Sequence, residues 1–374
     1  MDFTFSDEQD SIRKLAAKIF GDLVTPKSLL EAERSDGFDR RLWHALGQAG
    51  MLGVAVPAEY GGGGLGFAEL CLVCEQVGRA VAPVPLVPSL VMGALAIAEF
   101  GGEAHKRALL PGAASGEIVL GAALDEEGAG DPARPRTAAR KDAAGYLLDG
   151  VKTCVQAAGH AHRLLVPATL QGREGDANVG VFLVDPRAAG VTLEAQTATT
   201  GEPLWRMTLR GVRVGEGDLV GDGASGARMV AWIVERATVA LCAMEIGVAA
   251  RQLEMTSEFV LKRQQFGKPI GLFQAVAQRA ADAYIDAEAI KLSTWEAMWR
   301  LVEGLPATKE VAIAKFWASE GGARVAAAAQ HLHGGMGFDK GYPLYRYYLR
   351  AKQIELTLGA ANQQLAKLGA LLAE

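Results

Sequence analysis

The chain has 374 residues, half of them apolar and 22% charged, enough to bury a large core in two or three domains rather than one. Its 38 basic and 43 acidic residues give a formal charge of −5 with no basic block, which argues against nucleic acid as a partner. No apolar run reaches the roughly 18 residues of a membrane span, and the first residues have no charged segment leading into an apolar one, so a soluble cytoplasmic protein is expected.

Ser6-Asp7-Glu8-Gln9 reads as a capping box, which opens a helix through Ile12, Leu15, Ala16, Ile19 and Phe20. Helical spacing also covers 40–49, 67–81 and 89–110, and the glycine-rich run from Pro57 to Gly64 is a turn-rich loop. Cys71 and Cys74 have CxxC spacing, but they lie in the apolar-periodic segment Leu70, Val73, Val77 with no second pair nearby. They read as buried thiols, and the four cysteines (with Cys154 and Cys242) form no disulfide framework.

Near residue 115 the period becomes two. Short apolar runs at 118–124, 145–148, 151–155, 163–168, 179–184 and 205–214 read as strands, with Asp149-Gly150 as a hairpin turn between the second and third. With no helices between them they imply an antiparallel sheet, and no G-x-G-x-x-G run follows a strand, which argues against a Rossmann site. From about Ala227 the helical period returns, over 229–261, 273–302, 308–331, 343–355 and 360–372, and four of these helices form an antiparallel bundle in the simplest packing. The expected class is α+β, with an N-terminal helical domain over 1–115, a middle antiparallel β domain over 116–226 and a C-terminal four-helix-bundle domain over 227–374. His160 with His162, and His331 with His333, have i, i+2 spacing without an acidic partner; surface or cap chemistry is expected there, and no metal.

Two runs carry chemistry. Lys262-Arg263-Gln264-Gln265-Phe266-Gly267 closes the long helix with a guanidinium that can fork onto a phosphate and an aromatic face for a ring. Gln330-His331-Leu332-His333-Gly334-Gly335-Met336-Gly337-Phe338 follows another helix and lets backbone approach a ligand with no Cβ in the way. Each alone also reads as an ordinary helix end. In this order, with Phe273-Gln274, Tyr342-Pro343 and Arg346, they resemble the C-terminal domain of the flavin-dependent acyl-CoA dehydrogenases, and the resemblance extends over the whole chain.

That resemblance implies helical, sheet and helical-bundle parts, FAD as cofactor, an acyl-CoA thioester as substrate and an electron-transfer flavoprotein as acceptor. It implies that Arg263, Phe266, Gly267, Gln274, Gln330, Gly334 and Gly335 contact FAD. The family's loop on the sheet, which holds the flavin of its own subunit with hydroxyls, corresponds here to Asp125-Glu126-Glu127-Gly128-Ala129-Gly130-Asp131-Pro132. Like charges a few ångströms apart repel by roughly 1 to 4 kcal/mol, so four acids there are expected to disfavour a diphosphate. The family's flavin-flanking Trp and Thr fall on Cys154 and Gln156.

The family's catalytic base, a glutamate, falls on Leu358 or, in a minority of members, on Ala237; neither takes a proton, and Glu235 and Glu355 are the nearest acids in sequence. An intact outer site without a base resembles the non-catalytic subunit of bacterial heteromeric acyl-CoA dehydrogenases, which implies a second acyl-CoA dehydrogenase subunit as partner in an α2β2 heterotetramer. A self-sufficient homo-oligomer with another base, and an assembly module without flavin, are the alternatives.

Overall fold

The computed structural model describes residues 4–128, 130–172, 178–221, 223 and 225–373. The helices are α1 (Asp7–Leu23), α2 (Pro26–Arg34), α3 (Arg40–Gln48), α4 (Phe67–Ala80), α5 (Ala96–Phe100), α6 (Glu103–Ser115), α7 (Gly226–Lys262), α8 (Gln274–Val302), α9 (Thr308–Phe316), α10 (Gly322–His333), α11 (Leu344–Leu356) and α12 (Ala361–Ala373). The strands are β1 (Leu120–Ala122), β2 (Ala138–Asp142), β3 (Gly145–Gln156), β4 (Arg163–Leu170), β5 (Val179–Val184), β6 (Val191–Gln196), β7 (Leu204–Val214) and β8 (Leu219–Val220), with two-residue strands β9 (Gln264–Gln265) and β10 (Lys268–Pro269). By Cα proximity the chain divides into two compact units. One takes the residues up to Leu30, Phe67–Ala82 and those from Thr238 onward; the other takes Glu31–Gly66 and Pro83–Ala237.

In the first unit the capping box forms as expected: the Ser6 hydroxyl accepts from Gln9 N at 3.2 Å and Ser6 N donates to the Gln9 amide oxygen at 3.0 Å. Ile12, Ala16 and Phe20 turn inward, while Leu15 is exposed. The short α2, not anticipated from apolar spacing, starts on a local signal: Thr25 and Ser28 exchange backbone-to-hydroxyl bonds of 2.9 and 3.1 Å around Pro26 at its first position. Helices α4 and α7 cross with their backbones in contact. A Cβ on Gly78 would lie 1.9 Å from Met244 O, and one on Gly247 would lie 1.9 Å from Glu75 O. The single helix expected over 308–331 is interrupted by a π-helical turn at Trp317–Gly321. It carries the buried Ser319, whose hydroxyl accepts from the fully buried Lys315 ammonium at 3.2 Å. The same ammonium donates to Ile354 O and to Glu355 O, and the Ser319 hydroxyl also donates to Glu355 O at 3.3 Å, so the two side chains cap carbonyls at the end of α11.

The second unit holds the sheet, in the order β6-β7-β3-β2-β4-β5-β8, with β1 added to β4. It is antiparallel except where β4 meets β1 and β2 in parallel. Leu148, Leu164, Val166, Phe182, Met207 and Val212 are among its buried core. Asp149-Gly150 is not a hairpin turn: β3 runs through it unbroken, and the register against β7 shifts between Leu148 and Gly150. The dipeptide marks a bulge, where the Asp149 carboxylate accepts from Gly211 N at 2.7 Å. Gly150 is needed there because a Cβ would meet the Thr137 hydroxyl at 2.4 Å. The hairpin instead joins β2 to β3, pairing Asp142 with Gly145. Strands β2 and β6 escape the apolar pattern for a physical reason. The first is half charged, and the second is an edge strand with no fully buried residue.

Candidate functional site

Helix α7 ends on a turn built around strain. Ile270 N donates to Arg263 O at 2.8 Å, and Gln264 and Gln265 pair with Pro269 and Lys268, leaving Phe266 and Gly267 as the two loop residues. Both have positive φ, 53° and 79°, as a type I′ turn requires. For a residue with a Cβ that conformation costs about 1 to 2 kcal/mol. What the strain maintains is an aromatic ring in solvent: Phe266 is 92% exposed, with the Phe273 ring edge-on at 6.2 Å and Lys268 Nζ 4.5 Å from the Phe273 centroid. That strain is not repaid by burial of the ring, which makes Phe266 a candidate for a contact outside this chain. Arg263, Gly267 and Gln274, the first residue of α8, are exposed on the same tip.

The glycine run lies beside it, because the Phe259 ring in the last turns of α7 stacks on His333 at the end of α10, with centroids 4.4 Å apart. Gly334 adopts φ 58° and ψ −135°, open only to glycine, and starts a tight turn to Phe338. Gly334 and Gly335 are exposed, and a Cβ on either would meet nothing within 4 Å, so no packing demand requires glycine at Gly335. Phe338 is 75% exposed. Gln330 is buried behind this turn, not on its open face. Its amide oxygen has no hydrogen-bond partner and would stand 2.1 Å from a Cβ on Gly337. The exposed side chain at this point is His331. Helical spacing could have shown this, since Gln330 shares the buried stripe of α10 with Ala326 and His333.

His333 joins the two runs and carries a proton dependence. Its Nδ1 lies 2.8 Å from Ala329 O and so donates, leaving Nε2 to accept from the Tyr342 hydroxyl at 3.2 Å. Burial holds its pKa below the usual histidine value, against the Ala329 bond, which raises it. The unfolded chain therefore binds this proton more readily than the folded one. The stabilisation is complete above about pH 6.5 and is lost as pH falls through the folded value. Melting temperatures between pH 7.5 and 5.5 should fall more steeply for the native chain than for His333→Gln. Parallel curves would show that His333 is not the group responsible.

On the sheet, the acidic loop is charge-balanced. Glu126 points inward, bonded to the fully buried Lys152 ammonium at 2.6 Å, to the Thr137 hydroxyl at 2.6 Å and to two backbone N–H groups. Burial alone would raise the Glu126 pKa, but the bonds from Lys152 and Thr137 outweigh it and hold the carboxylate below its usual range. Glu127 pairs with Arg206 at 3.4 Å and Asp131 with Arg134 at 3.8 Å, while Arg136 bonds the carbonyls of Glu127 and Gly128. Burial raises the Asp125 carboxyl, against the pull of Lys152. Three of the four acids thus have a cation, Glu126 in Lys152, Glu127 in Arg206 and Asp131 in Arg134, which reduces the expected repulsion; Ala129 lies outside the described residues. Cys154 sits exposed at a register shift in β3 with φ 50°, its N–H donated to the Gln196 amide oxygen at 2.8 Å, and Gln156 is half-buried.

At neither base position does the structure hold an acid. Leu358 is half-buried with φ 57°, its carbonyl accepting from the Gln364 amide at 3.2 Å, and Ala237 is fully buried. The Glu355 carboxylate accepts from Lys352, and Glu235 is half-buried on α7. A further carboxyl, Glu245, is fully buried, with neither oxygen hydrogen-bonded among the described residues. Burial drives its pKa well up, although Lys315 acts against this, and it faces Gly322.

Three family models match the chain in succession: the acyl-CoA dehydrogenase N-terminal domain over residues 6–117, the middle domain over 121–210 and the C-terminal domain over 224–372. Acyl-CoA dehydrogenase FadE27 of Mycobacterium tuberculosis is 37% identical over 383 residues, covering 100% of this chain and 99% of the relative. Among solved structures, a chain of the ChsE4-ChsE5 complex from Mycobacterium tuberculosis superposes with a TM-score of 0.93 at 38% identity, covering 100% of this chain and 99% of that one. A chain of the Tcur3481-Tcur3483 steroid ACAD superposes with a TM-score of 0.91 at 41% identity, covering 98% of each.

Proposed function

Because this chain belongs to the acyl-CoA dehydrogenase family, FAD-dependent oxidoreductases acting on the CH–CH bond of acyl-CoA, we propose that it completes the FAD site of a second, catalytic subunit. The observation that carries this reading is the pairing of Leu358 and Ala237 at the base positions with an exposed, strained Phe266 beside exposed Arg263, Gln274, Gly334 and Gly335. The names of two neighbours, a ChsE4-ChsE5 complex and a Tcur3481-Tcur3483 steroid ACAD, support a two-chain assembly, written here as α2β2, and the second supports a steroid thioester as substrate class.

The outer half fits a dinucleotide. An exposed guanidinium offers two parallel donors to a diphosphate, an exposed ring offers a stacking face, and two glycines leave open backbone. In this reading Arg263, Phe266, Gly267, Gln274, Gly334 and Gly335 contact the FAD seated on the partner, and Gln330 supports the glycine turn from behind. When bound, FAD would supply the acceptor for the β hydrogen, and an electron-transfer flavoprotein is the expected reoxidant. This chain contributes binding at the nucleotide end, and it moves no substrate proton at Leu358 or Ala237. Leu261 and Leu272 near the tip, with Tyr284 and Ile285 along α8, are exposed apolar side chains that suit burial against that partner.

The charge balance around Glu126 favours a second reading, in which the chain seats its own flavin and works as a homo-oligomer with a base elsewhere. Purifying the chain alone, and co-expressed with an acyl-CoA dehydrogenase homologue from the same genome that carries the glutamate base, separates the two. A colourless lone chain and a yellow, active complex are expected. A yellow lone chain that bleaches on addition of acyl-CoA overturns the first reading in favour of the second.

A further inference from the structure

The helical unit has a cleft of about 350 Å3 bounded by α1, the start of α2, and α4, α7 and α11, a volume suited to a small ligand. Its two sides differ in chemistry. Phe20, Val24 and Leu29 give it an apolar wall, whereas Arg79, Arg251 and Arg346 bring three guanidiniums to it, and among the described residues no acidic one lines it. Glu254, behind the wall, accepts from Arg79 at 2.7 Å and from Arg251 at 3.0 Å through the same oxygen, which brings those two guanidiniums together at one point. Glu258 also acts on Arg251.

The backbone behind this cationic edge is fixed. The Tyr347 hydroxyl donates to Arg79 O at 2.9 Å, tying α11 to the end of α4, and the contact at Gly78 and Gly247 sets the approach of α4 to α7. Gln76, nearly fully buried, adds an amide to the lining. Fixed guanidiniums at one end of a concave apolar wall favour a ligand that is anionic at one end and greasy at the other.

We propose that this cleft binds a small amphipathic anion, a carboxylate or phosphate monoester on an alkyl body, with its head on Arg251, Arg346 and Arg79 and its tail on Phe20, Val24 and Leu29. The inference does not depend on the reading of the FAD site. Arg251 lies twelve residues before Arg263, which on a continuous helix is about 18 Å away.

Calorimetric titration of the full chain with octanoate and with octyl phosphate tests it, with inorganic phosphate as the head group alone. At least one alkyl probe should bind one to one below about 1 mM. Binding should weaken about tenfold or more in Arg251→Gln and in Arg346→Gln, and also in Leu29→Glu, which leaves every arginine in place and serves if an arginine variant fails to fold. The preferred head group identifies the natural anion. Absence of binding by both alkyl probes, equal affinity in folded variants, or inorganic phosphate binding as tightly as octyl phosphate would each overturn the proposal.

Discussion

Replacing Arg263 with alanine is expected to strip FAD from the assembled complex while leaving this chain folded. The side chain is exposed beyond the last helical turn and takes no part in the core, so thermal stability should change by well under 1 kcal/mol. Against a diphosphate, hydrogen bonds to charged groups contribute about 1.5 to 3 kcal/mol each. A lost bidentate contact of about 3 kcal/mol corresponds to FAD binding weaker on the order of a hundredfold. Flavin absorbance per complex after gel filtration, compared with Arg263→Lys, reads this directly. The lysine keeps the charge but loses the fork, so it should retain an intermediate amount of flavin. Undiminished flavin in Arg263→Ala would remove the basis for assigning this tip to the nucleotide.

The second large effect belongs to the sheet. Lys152→Ala should cost about 3 to 5 kcal/mol, because it leaves the Glu126 carboxylate buried without its cation. Burial already pulls the Lys152 ammonium below its usual pKa, while its bond to Glu126 opposes that pull. Charge on either partner alone is therefore unfavourable. The double replacement Lys152→Met with Glu126→Gln should recover part of the loss, and a denaturant-unfolding cycle measures the coupling. Additive losses in that cycle would mean that the two side chains do not act as a pair.

Much of the fold is legible in the sequence, because long helices and buried strands repeat their apolar residues at 3.6 or 2. The elements that escape lack that signal. The edge strand β6 buries no residue fully, β2 is half charged, and α2 rests on a Thr25–Ser28 exchange. Asp149-Gly150 misleads because a dipeptide that suits a turn also suits a bulge, and only the cross-strand register distinguishes them. At the candidate site, the two runs and the missing acids at Leu358 and Ala237 can be read from residue types alone. The inward direction of Gln330 follows from its place on the buried stripe of α10, whereas the ion pairs of Glu126 and Glu127 cannot be read this way, because they depend on neighbours distant in sequence, as Arg206 is from Glu127.

The type I′ turn at Phe266 and Gly267 bears on the entropy of assembly. Most aromatic anchors at an interface give up backbone freedom when they dock, and that loss is subtracted from the affinity they contribute. Here the hairpin bonds fix the backbone under the ring before any second chain arrives. In the proposed assembly the ordering cost falls on folding and not on association, so a preorganised knob would meet its receptor with little left to freeze.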